Sequence, residues 1–255
     1  MLLNLIYETP VLIFLAFIIS FFAGFVKGIV GFAMPMILLS GLSAFMHPQH
    51  ALAALILPTL VTNLQQALTK RPPTITETAV RFRLFLITCG IFMIISTQLT
   101  PYLPTQLFLG ILGILIFVFS FIQIIGLKLE LRKNNQSITF ILAAMTGLIG
   151  GMSGIWGPLT VIYLTTINLR KEESIKVQGI VYTLGAFLLL FGHIQSGIFT
   201  WYTASFSVSL IIPSVLGLLL GARIRNKINQ STFRKATLIV LLIAGGNLVR
   251  RAWFN

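Results

Sequence analysis

The chain has 255 residues, of which 56% are hydrophobic and only 9% charged. A soluble domain carries about 25% charge, so water is not its main solvent, and the net charge of +13 comes with no motif or basic arm for nucleic acid. Cys89 is the only cysteine, which excludes an intrachain disulfide and a thiolate metal cluster.

The N-terminal stretch Met1–Pro10 holds no Lys or Arg and carries Glu8. It lacks the basic start of a secretory signal, so the apolar segment behind it is expected to be retained. Eight apolar segments follow: Val11–Leu42, Ala51–Leu68, Leu84–Leu99, Gln106–Leu127, Ile138–Ile167, Val177–Ile194, Tyr202–Leu220 and Phe233–Val249. Runs of this length span a bilayer core of roughly 30 Å as helices. The expectation is an all-α membrane protein of 8–10 helices. Residues 1–127 would form a first repeat, 128–137 a cytoplasmic linker and 138–255 a second repeat.

The first segment carries Gly24, Gly28, Gly31 and Pro35, a G-x3-G-x2-G-x3-P pattern. The fifth repeats it 123 residues on, as Gly147, Gly151, Gly154 and Pro158. Hydrophobic segments interrupted at corresponding points of two halves point to a transporter, with the breaks as binding site. Pro is favoured at the first helical position, so Pro35 and Pro158 are expected to open short half-helices near mid-membrane. Ile138–Ile149 is about 18 Å of helix, and neither limb of a broken segment is expected to span alone. A helix N-terminus offers free N–H groups and partial positive charge to an anion, and glycine lets a ligand approach the backbone. The same glycines also fit the small-x3-small packing motif, as do Gly217 and Gly221, which are read as packing.

Loop charge sets the expected topology. The loops Lys70–Arg83, Lys128–Lys133, Arg170–Lys176 and Arg223–Lys235 hold 15 of the 18 Lys and Arg, while Pro101–Thr105 and His193–Trp201 hold none. If each broken segment enters and leaves on one side, as a re-entrant hairpin, all four basic loops fall on the cytoplasmic face. The halves are then inverted, and both termini lie outside the inner (cell) membrane, with Arg250 and Arg251 as exceptions.

Lys27 lies inside the first motif, where a membrane-buried cation usually has a function. The candidate substrate-binding residues are Lys27, Gly28, Gly31, Pro35, Thr59, Asn63, Gly151, Ser153, Gly154, Pro158, Gln178 and Tyr182. Gln65 and Gln66 are further polar candidates, and any single one of the polar residues can serve as interhelical glue. The chain has no Asp, and Glu8, Glu77, Glu130, Glu172 and Glu173 all fall in loops or the terminus, so a cation substrate or a carboxylate proton relay lacks its residues. His47, His50 and His193 fall near the expected outer face. No Walker motif is present, and no cofactor or metal is expected.

Residues 19–40 and 142–165, with the surrounding 4+4 layout, resemble the TauE/SafE family. The resemblance covers nearly the whole chain and rests on glycine patterns, which mark a family rather than a substrate. It implies export of sulfite, sulfoacetate or another small sulfur-containing or organic anion by a secondary transporter or facilitator. The expected partners are a small anion and the lipid bilayer, with a homo-oligomer left open and no nucleic acid. A membrane enzyme has no HExxH, G-x-S-x-G or paired carboxylates to build on. A scaffold without transport is the alternative, and it would have no need of two matched helix breaks.

Overall fold

Each apolar run of the sequence becomes helix, because a backbone without water must satisfy its hydrogen bonds internally. A computed structural model describes residues 9–68, 74–126, 136–166 and 171–254. Among these residues there are twelve α-helices and no strand. They are α1 (Pro10–Val30), α2 (Met34–Leu42), α3 (Pro48–Ala67), α4 (Ile75–Arg81), α5 (Arg83–Leu99) and α6 (Thr105–Ile124). The rest are α7 (Gln136–Ser153), α8 (Gly157–Thr166), α9 (Lys171–Gln195), α10 (Trp201–Ser209), α11 (Ile211–Ile224) and α12 (Gln230–Trp253). Glu8, Lys70, Arg71, Glu130, Arg170 and most of the 128–137 linker lie outside the described residues.

Among the described residues, seven stretches are long and apolar enough to cross a membrane: α1, α5, α6, α7, most of α9, α10 with α11, and α12. Eight were expected. The eighth run forms α3 at full length, but Thr59, Thr62, Asn63, Gln65 and Gln66 lower its hydropathy. Large apolar side chains such as Phe14, Ile18 and Phe22 on α1 and Ile87, Ile91 and Ile94 on α5 are exposed, as a lipid-facing surface requires. Polar side chains turn inward, among them Ser20, Thr62, Ser96 and Thr146.

The chain forms two compact units that do not coincide with the sequence halves. The first comprises residues 1–58, 102–127 and 201–255, and the second residues 59–101 and 128–200. In the first unit α1 and α11 run parallel. Ser20 Oγ donates to the Leu210 carbonyl at 3.0 Å and lies 2.6 Å from Ser214 Oγ. A Cβ on Gly24 would overlap the Ser214 carbonyl, and one on Gly28 would overlap the Leu218 carbonyl and sit 2.7 Å from Ala222 N. From the other side, Gly217 and Gly221 admit the backbone of Phe21 and Phe25. The second unit repeats the device with α7 parallel to α5. A Cβ on Gly147 would overlap the Cys89 carbonyl, and one on Gly151 the Met93 carbonyl and Ser96 Oγ. Ser96 Oγ donates to the Gly147 carbonyl at 3.2 Å. Small residues that let membrane helices touch backbone to backbone explain both pairs.

The limbs of the broken segments differ from expectation. The first limbs, α1 with 21 residues and α7 with 18, are about 31 and 27 Å long, enough to span. Glycines inside them do not end the helix, because every backbone group keeps its intrahelical bond. Only the second limbs are short, α2 with 9 residues and α8 with 10. Each folds back along its partner: Gly41 of α2 abuts Ile19 of α1, and Tyr163 of α8 stacks on Phe85 of α5 at 4.4 Å. Glu172 and Glu173, expected in a loop, belong to the first turn of α9, where Glu173 pairs with Arg81 at 2.8 Å.

Pro58 lies inside α3 and has no N–H for the Ala54 carbonyl. Ser207 of α10 fills the gap: its Oγ donates to the Ala54 carbonyl at 2.9 Å and accepts from Leu57 N at 3.1 Å. Ser207→Ala is expected to leave that carbonyl unsatisfied and to destabilise the protein by about 1–3 kcal/mol. Thermal unfolding in detergent checks this, and an unchanged midpoint would show the patch to be dispensable.

Candidate functional site

The first break is built from the end of α1. Gly31 adopts φ 87°, and its N–H returns to the Lys27 carbonyl at 2.8 Å. This is a left-handed helix cap, which glycine adopts without Cβ strain. Ala33 is also left-handed, at φ 76°. Pro35 then sits in the first turn of α2, where its fixed φ suits the start and its missing N–H costs nothing. Lys27, one turn before the cap, is only 2% exposed. Phe32, within the break, meets Phe119 of α6 edge-on at 6.1 Å. Above the Phe32 ring stands the Arg234 guanidinium at 5.8 Å, and Arg234 Nη2 donates to Gln123 Oε1 at 2.9 Å. The sequence had placed Arg234 among loop cations. Its position beside the break depends on α12 packing against α6, which no local signal reveals.

The second break repeats the cap. Gly154 adopts φ 70°, and its N–H bonds to the Gly150 carbonyl at 2.7 Å. Ser153 Oγ donates to the Ile149 carbonyl at 2.6 Å and accepts from Ile155 N at 3.1 Å. Its hydroxyl is thus spent on shaping the turn. Gly157 and Pro158 open α8. Tyr182 OH donates to the Gly157 carbonyl at 3.3 Å, and its ring lies 6.3 Å from Trp156. Asn63 Nδ2 in turn donates to the Tyr182 carbonyl at 3.1 Å. Trp156 also approaches Gly150, together with Met93.

The predicted residues therefore divide. Lys27, Gly31 and Pro35 gather at the first break. Ser153, Gly154, Pro158, Tyr182 and Asn63 gather at the second. Gly28 and Gly151 face neighbouring helices, and their open sides are closed by backbone. Thr59 and Gln178 lie one turn from Asn63 and Tyr182 respectively. Because α3 and α9 run antiparallel there, with Gly179 against Gln66 and Ala67, the two point to opposite ends of the Asn63–Tyr182 contact. Thr59 Oγ1 and Gln178 Oε1 are buried without a hydrogen-bond partner.

His193 is fully buried. Its Nε2 lies 2.9 Å from the Gly151 carbonyl and its Nδ1 3.2 Å from Ser196 Oγ. A carbonyl only accepts, so Nε2 carries the proton and Nδ1 accepts from the serine. The ring holds one of the last carbonyls of α7 that the helix itself leaves over. Chemically, a lysine amine is buried one turn from the first break, and hydroxyl and amide groups gather at the second. Among the described residues no cluster of His, Cys, Asp and Glu could hold a metal ion.

A family profile described as "Sulfite exporter TauE/SafE" matches residues 16–248. No curated protein and no solved structure matches the chain.

Proposed function

Because the chain belongs to the sulfite exporter TauE/SafE family across residues 16–248, we propose that it exports a small sulfur-containing or organic anion, such as sulfite or sulfoacetate, through the inner membrane. Members of that family are membrane transporters rather than enzymes. The observation that carries the anion reading is Lys27, a cation 2% exposed and one turn from a helix break. An ammonium deep in a bilayer costs roughly 2.5–3.5 kcal/mol or more and is retained where it serves transport.

In this reading each break is an anion contact within its own unit. Lys27 supplies charge at the first. Gly31 and Gly154 make the turns, and Pro35 and Pro158 start limbs whose first amides have no intrahelical acceptor. Thr59 contributes its hydroxyl. Gln178, whose Nε2 donates to Ser174 Oγ at 3.2 Å, is the further polar group of this reading. Ser153, Asn63 and Tyr182 hold the second break in shape. Gly28 and Gly151 bring helices together. The recurrence of one parallel packing device, α1 on α11 and α7 on α5, supports reading 1–127 and 138–255 as inverted repeats joined by 128–137.

The test is efflux of radiolabelled sulfite from proteoliposomes. Lys27→Gln is expected to cut the rate about 10- to 100-fold, the scale of one lost charge-assisted contact, while Lys27→Arg retains part of it. Wild-type liposomes that release no anion would favour the scaffold alternative. Topology is tested by cysteine labelling of intact cells: single cysteines in Lys70–Arg83 and Arg170–Lys176 should be shielded, and both termini should react from outside. External labelling of the Arg170–Lys176 loop would overturn the inverted arrangement.

A further inference from the structure

Arg250 and Arg251 end α12, on the face that the loop charges otherwise leave without cations. Within the first unit this end lies away from the Gly31 break. Phe233, near the start of α12, meets Phe25 of α1 at 6.2 Å, and α12 then runs antiparallel to α6, with Gly245 beside Gly113 and Trp253 beside Gly110. At the far end Arg251 Nη1 donates to the Ser43 carbonyl at 2.6 Å, just past the end of α2. His47 caps α3, its carbonyl accepting from His50 N at 2.9 Å and Ala51 N at 3.0 Å. Its Nε2 lies 3.1 Å from Oγ1 of Thr105, the first residue of α6. The His47 and His50 rings are 5.7 Å apart. Two 20-residue helices, α3 and α6, thus bring their N-termini together here.

Two polar atoms are left over. Ser43 is 0% exposed, and its Oγ has no hydrogen-bond partner; the same holds for the buried Nδ1 of His50. Among the described residues of this unit there is no Asp or Glu to use them. The end of the unit is therefore a set of donors: a guanidinium, two imidazoles, two hydroxyls and two helix N-termini. Such a set favours a negatively charged oxygen ligand. We propose that Ser43, His47, His50, Thr105 and Arg251 form a binding site for a small oxyanion, separate from the Gly31 break. Burial lowers the pKa of both histidines, and the neighbouring His47 lowers that of His50 further. At neutral pH each ring is then neutral and offers one N–H, and Arg251 supplies the fixed charge. The site does not depend on the transport reading, since it shares no residue with the two breaks.

The chain has three histidines, and His193 lies in the other unit, which makes ring-15N histidine NMR a local readout with an internal reference. The full chain is placed in phosphatidylcholine nanodiscs and titrated with potassium sulfate against potassium chloride, at fixed pH and ionic strength. Sulfate should shift the His47 and His50 signals saturably and leave His193 unmoved. Arg251→Gln should raise the half-saturating concentration about tenfold or more, as loss of a charge-assisted contact does. Arg251→Lys should fall between, Ser43→Ala should weaken binding, and Lys27→Gln should change nothing. An unmoved His193 signal certifies that a variant is folded. Absent saturation, an equal response to chloride, or an unchanged titration in folded Arg251→Gln would overturn the site. A response to phosphatidylglycerol nanodiscs but not to sulfate would assign these donors to a lipid headgroup and overturn the free-anion assignment.

Discussion

Gly151→Ala should destabilise the second unit by about 3 kcal/mol or more, at the upper end of overpacking costs, and leave little folded protein. The new methyl group would meet the Met93 carbonyl and Ser96 Oγ. A carbonyl within a helix cannot turn aside, so α7 must withdraw from α5. That withdrawal stretches the Ser96–Gly147 hydrogen bond at 3.2 Å and the His193–Gly151 contact at 2.9 Å. Gly154→Ala is a different lesion in the same motif. Its cost is the left-handed φ of 70°, which charges an L-residue about 1–2 kcal/mol. Fluorescence-detected size exclusion and thermal unfolding in detergent separate the two. Gly28→Ala and Gly31→Ala provide the same contrast in the first unit. If Gly151→Ala unfolds no earlier than Gly154→Ala, the first glycines of each motif are not packing positions.

That contrast marks where the sequence could be read and where it could not. In a membrane, hydropathy reports the solvent directly, so the apolar runs located the long helices, including the two that break. The short α4 fell in a stretch read as loop, and the run Tyr202–Leu220 proved to be two helices, α10 and α11. Pro35 and Pro158 located the breaks to within a residue or two, because proline at a helix start and a left-handed glycine just before it leave a local signature. The roles within the motif were not legible. Gly24, Gly28, Gly147 and Gly151 look like exposed backbone until their partners are known. Those partners, α11 and α5, come from the opposite half of the chain in each case. The lengths of the first limbs were misjudged for the same reason: helical glycine held against another backbone does not end a helix. Arg234 and His193 were assigned to loops and faces by their sequence neighbours. One stands over Phe32 and the other holds the Gly151 carbonyl, both through contacts that only packing creates. Trp156 had a signal that went unused, since it follows the motif glycine at the position Ala33 holds in the first copy.

Anion export is expected to follow membrane potential and ignore a pH gradient. The inside of a bacterial cell is negative, and moving one charge through 100 mV is worth about 2.3 kcal/mol. On a scale of about 1.4 kcal/mol per tenfold change, a monoanion is driven outward roughly 50-fold by potential alone. Proton coupling needs a side chain that gains and loses a proton along the path. None of the seven spanning stretches contains Asp or Glu. The one histidine buried in a span, His193, has both ring nitrogens engaged, by the Gly151 carbonyl and Ser196 Oγ. A proton added at Nδ1 would need the serine to turn from donor to acceptor. Proteoliposomes loaded with labelled anion and clamped by potassium and valinomycin give the measurement. Flux should change about 10-fold or more between 0 and 100 mV and stay constant when internal pH is varied at fixed potential and fixed substrate protonation. Flux that tracks the pH gradient instead would turn attention to His47, His50 and His193, and to the buried Lys27 amine, as proton carriers, and the variant that abolishes the pH response while leaving the potential response in place would identify the group.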